Sequence, residues 1–75
     1  MARLPILSGR ESRKVFEKDG WVFNRQRGSH MILEKAGVNV NLSIPDHREL
    51  DKGLLRGLIN DAGMTVDSFL DLMRK

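Results

Sequence analysis

Hydrophobic residues are unevenly spaced along this chain, and the spacing changes three times. From residue 9 to 19 they are sparse. Val15 and Phe16, with Ser12 a turn earlier, sit among Arg10, Arg13, Lys14, Glu17 and Lys18. Ser8 and Glu11 have the Ser-x-x-Glu spacing of a capping box and Gly20 supplies a stop, so the pattern predicts a helix over about 9–19. A stripe this thin leaves the helix dependent on packing against something else. Trp21 to Gln26 then reads as a strand rich in aromatic and β-branched residues, with Trp21 and Phe23 on one face as core. Arg27-Gly28 makes a hairpin turn, and residues 30–35 form a second strand. There Met31-Ile32-Leu33 leaves the inward face open: either His30 with Ile32, or Met31 with Leu33.

After Ala36-Gly37, alternation becomes strict over 38–44. Val38, Val40, Leu42 and Ile44 fall on one face, and Asn39, Asn41 and Ser43 on the other. Burying all four apolar residues would stabilise by roughly 1.5–3 kcal/mol each, which would fix the register. Pro45 ends this strand. A loop then leads to a helix capped near Asp51, with Leu54, Leu55, Leu58, Ile59 and Ala62 at helical spacing. Gly63 stops it, and Thr65 opens a short last helix carrying Val66, Phe69, Leu70 and Met73. The predicted order is α-β-β-β-α with a short C-terminal helix. This is an α+β domain over residues 1–75, a three-stranded antiparallel sheet with its helices on one face, as in the double-stranded-RNA-binding domain. The uncharged polar face of 38–44 is either an open surface for a partner or the wet side of the sheet.

Seventy-five residues bury only about 60% of the unfolded surface. The absence of cysteine removes disulfides and thiolate zinc sites, and two histidines are too few for a histidine metal centre. No stretch approaches the roughly 20 apolar residues of a membrane span and no signal peptide is evident, so a cytoplasmic location is expected. The net charge of +3 is asymmetric. Residues 1–30 carry seven Lys/Arg against three acids, whereas residues 31–75 carry six against seven. The N-terminal half is therefore either a polyanion-facing side or an ordinary solvated helix face.

Candidate chemistry gathers in Arg25-Gln26-Arg27-Gly28-Ser29-His30. Gly28 permits a tight turn and close approach of a ligand. His30 brings a group that exchanges protons near neutrality, and Arg25 and Arg27 bring the positive field a phosphate requires. Ser29 either hydrogen-bonds the turn or touches RNA. His47, in the loop after Pro45, is either a second proton-transfer group or a solvent-facing loop histidine. Gly28 to Met31 also spells the remnant of a cleaved affinity tag, but its mid-chain position marks it as native.

These residues resemble the HicA-type toxins of toxin–antitoxin pairs. The matching positions are Gly9, Gly20-Trp21, Arg25 to His30, Ile44-Pro45-Asp46-His47, Leu50, Gly53-Leu54-Leu55-Arg56, Ile59, Ala62-Gly63 and Phe69. Gly-Ser-His followed at the right distances by Pro-x-His and Gly-x-Leu-Arg is the specific part. The resemblance implies a small endoribonuclease that cleaves mRNA and halts translation, needs no metal or other cofactor, and is covered at its site by a HicB-type antitoxin. The family's catalytic histidine falls on His30, with Arg25, Arg27, Gly28, Ser29 and His47 as the expected RNA contacts. The chain departs from the family at Ser12 and Arg13, where aliphatic residues are usual, and at Lys52-Gly53-Leu54-Leu55, where Pro-Gly-Thr-Leu is common. Two other classes remain on sequence grounds: a non-catalytic RNA-binding module, and a protein-interaction adaptor using the polar face of 38–44.

Overall fold

The computed structural model describes residues 3–75. Its elements are α1 (Gly9–Lys18), β1 (Val22–Arg27), β2 (His30–Glu34), β3 (Leu42–Pro45), α2 (Lys52–Asp61) and α3 (Val66–Met73). The strands form an antiparallel sheet in the order β1-β2-β3, and the α-β-β-β-α arrangement is the one the sequence predicts. The capping box at α1 is formed. The Glu11 N–H donates to Ser8 Oγ at 3.0 Å, and the Ser8 N–H donates to a Glu11 carboxylate oxygen at 2.8 Å. Thr65 and Ser68 make the equivalent pair at α3, and Asp51 accepts from the Leu54 N–H at α2.

The core answers the ambiguity in β2. Met31 and Leu33 join Leu42 and Ile44 on one sheet face, where Val15 and Phe16 of α1, Leu55, Leu58 and Ile59 of α2, and Phe69 of α3 cover them. The Phe16 and Phe69 rings lie 5.2 Å apart, tilted by 56°. Ile32 is also buried, but it lies outside this cluster, on the opposite face with His30. Leu4, Leu7 and Leu50, to which the sequence patterning assigns no role, complete the core. The Leu50 N–H donates to the Leu7 carbonyl at 2.8 Å, tying the N-terminal segment to the loop before α2. Gly9 lies so close to β3 that a Cβ there would run into the Pro45 carbonyl, while its N–H donates to the His47 carbonyl.

Three expectations need correction. The strand over 38–44 is only Leu42–Pro45, and Val38 and Val40 are exposed. The cause is register. The turn is closed by the Val38 N–H on the Lys35 carbonyl at 3.1 Å, and continued outward it would pair Leu33 with Val40. The ladder instead pairs Leu33 with Leu42, two residues further on. A two-residue shift keeps every side chain on its face and leaves Val38 and Val40 outside the paired strand, where both are exposed. Leu54, assigned above to the apolar face of α2, is exposed as well. Trp21 is buried but precedes β1, and Phe23 is only half-buried, with the Arg13 guanidinium 4.1 Å above its ring.

Candidate functional site

Regular alternation along β1 would put Phe23, Arg25 and Arg27 on one face. The structure avoids this with a bulge at Asn24. Phe23 pairs with Leu33 on the core side, whereas Arg25 pairs with Ile32 and Arg27 with His30. The extra residue lets Phe23 reach the core while both arginines project from the open face. Between the strands, Gly28 and Ser29 make a two-residue turn. Gly28 has φ +56° and, among the described residues, only glycines have positive φ, which is the II′ pattern with glycine at the first central position. The Gln26 side-chain amide donates to the Gly28 carbonyl and steadies this turn. A turn this short holds Arg27 and His30 directly opposite each other.

His30 is the first residue of the central strand, with Arg27 across from it on β1 and Pro45 on β3. Two pairs further along, on the same face, Ile32 has Arg25 on one side and Ser43 on the other. Arg27, His30, Ile32 and Ser43 line a shallow depression of about 230 Å³. His30 is solvent-exposed at its rim, and Ile32 forms the floor. Among the described residues Arg10 is paired with Asp46, Arg13 with Glu17, Lys35 with Asp19 and Arg74 with Asp71. Arg25 and Arg27 have no such acidic partner, so their charge is available to an external anion.

Of the residues singled out in the sequence, Arg27 and His30 line the depression, Gly28 and Ser29 form the turn above it, and Arg25 stands beside Ile32. His47 does not line this depression. It lines a second hollow with Ser8, Arg10, Asp46 and Arg48. There the Asp46 carboxylate accepts from Arg10 Nε at 3.1 Å and Nη2 at 3.3 Å, which holds the Asp46 carboxyl below its usual range and raises Arg10. Sequence reading did not single out Ile32 and Ser43 as site residues. The signal for both was the two-residue period, which places Ile32 with His30 and Ser43 on the polar side of its strand. Among the described residues no three His, Cys, Asp or Glu side chains come together as a metal-binding group, and no helix is long and apolar enough to cross a membrane.

An α-β-β-β-α domain of double-stranded-RNA-binding type, with an imidazole and two unpaired guanidinium groups on its open sheet face, defines the class. The family described as the HicA toxin of bacterial toxin–antitoxin systems matches residues 9–64. A chain of a solved toxin–antitoxin complex from Streptococcus pneumoniae is 34% identical. It aligns over 77% of this chain and 98% of its own length, with a TM-score of 0.70. No curated protein matches. This chain belongs to the HicA toxin family.

Proposed function

We propose that the protein is the toxin of a toxin–antitoxin pair and acts as an endoribonuclease on mRNA, inhibiting translation in the cytoplasm. The observation that carries this reading is the cross-strand pair of Arg27 and His30, exposed at the edge of a hollow and held by a two-residue turn. His30 takes the proton from a ribose 2′-OH, and the 2′ oxygen attacks the adjacent phosphorus. The bond to the 5′ oxygen breaks, leaving a 2′,3′-cyclic phosphate and, once protonated, a 5′-hydroxyl. Arg27, with Arg25 nearby, stabilises the charge that builds on the phosphorane oxygens. The four side chains lining the hollow include no carboxylate, so the donor set suits proton transfer and anion stabilisation without a metal ion. One general acid–base group supplies about 10²–10⁴-fold, which makes this a slow nuclease.

His30→Ala tests the assignment. Expressed beside wild type, it should leave total mRNA intact and growth unimpaired, with cleavage reduced at least about 100-fold. Its thermal unfolding should stay close to wild type, and most of its RNA affinity should remain. Parental cleavage by this variant would overturn the assignment of His30, and absence of cleavage by the wild type would return the chain to the class of non-catalytic RNA-binding modules. The antitoxin in this reading is a HicB-type protein that presents Asp and Glu to Arg25 and Arg27 and covers His30. A complex that left His30 open to phosphate would overturn that mode of inhibition.

A further inference from the structure

The hollow beside His30 has a far side that the proton-transfer chemistry leaves unused. Its floor, Ile32, is 8% exposed although it lies on the sheet face away from the core. Its far wall is Ser43, directly across the strand pair from Ile32. The Ser43 hydroxyl takes no part in the hydrogen bonds made among the described residues. At about 230 Å³ the space falls below the roughly 300–1,000 Å³ that encloses a drug-sized ligand. Its size matches one sugar with its phosphate. The chemistry of the walls fits such a group: an apolar floor for the carbon edge of a ribose, a hydroxyl for its 2′-OH, and a guanidinium for its phosphate. The aromatic residues are all elsewhere. Phe16, Trp21 and Phe69 are buried, and Phe23 faces the core side beneath Arg13. The site therefore grips sugar and phosphate without stacking a base.

We infer that Ile32 and Ser43, with Arg27 and His30, form a subsite for the ribose and 3′-phosphate of one unpaired nucleotide, and that Ser43 contacts the 2′-OH. The inference deepens the nuclease reading and rests on it for its biological meaning. Within a regular RNA duplex the 2′ oxygen lies well out of line with the scissile bond, so the sugar must swing free of the helix before attack. A shallow, one-sided hollow on a flat sheet receives a sugar that has done so.

The test is equilibrium binding of adenosine 3′-monophosphate, which has no internucleotide bond to cut, to the full ¹⁵N-labelled chain. Amide shifts should centre on Arg27, His30, Ile32 and Ser43. Ser43→Ala should weaken binding about two- to tenfold, the range of one lost hydrogen bond, and abolish the preference over the 2′-deoxy counterpart. Ser43→Leu, which fills the hollow, should prevent saturable binding while the Trp21 fluorescence melt confirms the fold. Shifts centred instead on Arg10 and His47, or unchanged affinity in both variants, would overturn the subsite. An unstructured RNA oligonucleotide should displace the probe and the same strand annealed to its complement should not. Equal displacement would overturn the restriction to unpaired nucleotides. No arm depends on turnover, so loss of the nuclease reading through His30→Ala and loss of the subsite are separate results.

Discussion

Gly28 is the residue on which the opposition of Arg27 and His30 depends. Its φ of +56° lies where an L side chain is strained, yet a Cβ there would meet nothing within 4 Å. Substitution therefore acts through backbone conformation alone. Gly28→Ala should cost about 1–2 kcal/mol, read as a shift in the denaturation midpoint followed through Trp21, the single tryptophan. Cleavage should fall further than this modest destabilisation explains, because a relaxed turn no longer holds the guanidinium opposite the imidazole. Arg27, Gly28 and His30 were legible in the sequence because a glycine turn between cations and a histidine is a local pattern. Ile32 and Ser43 were not, since their meeting depends on which residues of two separate strands pair.

Helices gave themselves away more readily than strands. Ser8 with Glu11, Asp51, and Thr65 mark helix starts through bonds made within one turn, and all three form. The alternating stripe over 38–44 carried a correct period and a wrong extent, because a period cannot say where the opposite strand ends. The register separates the two halves of the stripe in energy as well. Ile44 is fully buried, and Ile44→Ala should cost about 2–5 kcal/mol. Val40 is 48% exposed, and Val40→Ala should stay within about 0.5 kcal/mol of wild type. Comparable losses in chemical denaturation would show that Val40 packs in solution.

Across the whole molecule, α1 is fastened to the loop after β3 by contacts distant in sequence. The Gly9 N–H on the His47 carbonyl and the two-bond Arg10–Asp46 pair lie side by side there. Arg10 lowers the Asp46 carboxyl, chiefly through its hydrogen bonds, and the Ser8 N–H lowers Glu11 in the same way. Both groups then bind protons less readily folded than unfolded, so their stabilisation is complete above the unfolded values near about 4 and is lost as pH falls through the depressed folded values. The melting temperature should be level from neutral pH to about pH 5 and drop below about pH 4. Asp46→Asn should melt lower than wild type at neutral pH and show a shallower acid decline. A variant parallel to wild type over that range would remove Asp46 from the account. The sequence contained both partners but gave no sign that residues 36 apart would meet.

The bulge at Asn24 also bears on how this strand tolerates changes in chain length. Because Phe23 already sits opposite Leu33 and Arg25 opposite Ile32, removing Asn24 would join two correctly facing halves into an unbroken strand. Losing Gln26 instead would put Arg25 opposite Met31 on the core side and Asn24 opposite Ile32, while Phe23 kept its place opposite Leu33. Relatives one residue shorter between the aromatic position and the first arginine can thus keep the same interior and the same outward cations, and a gap in an alignment belongs there rather than nearer the histidine.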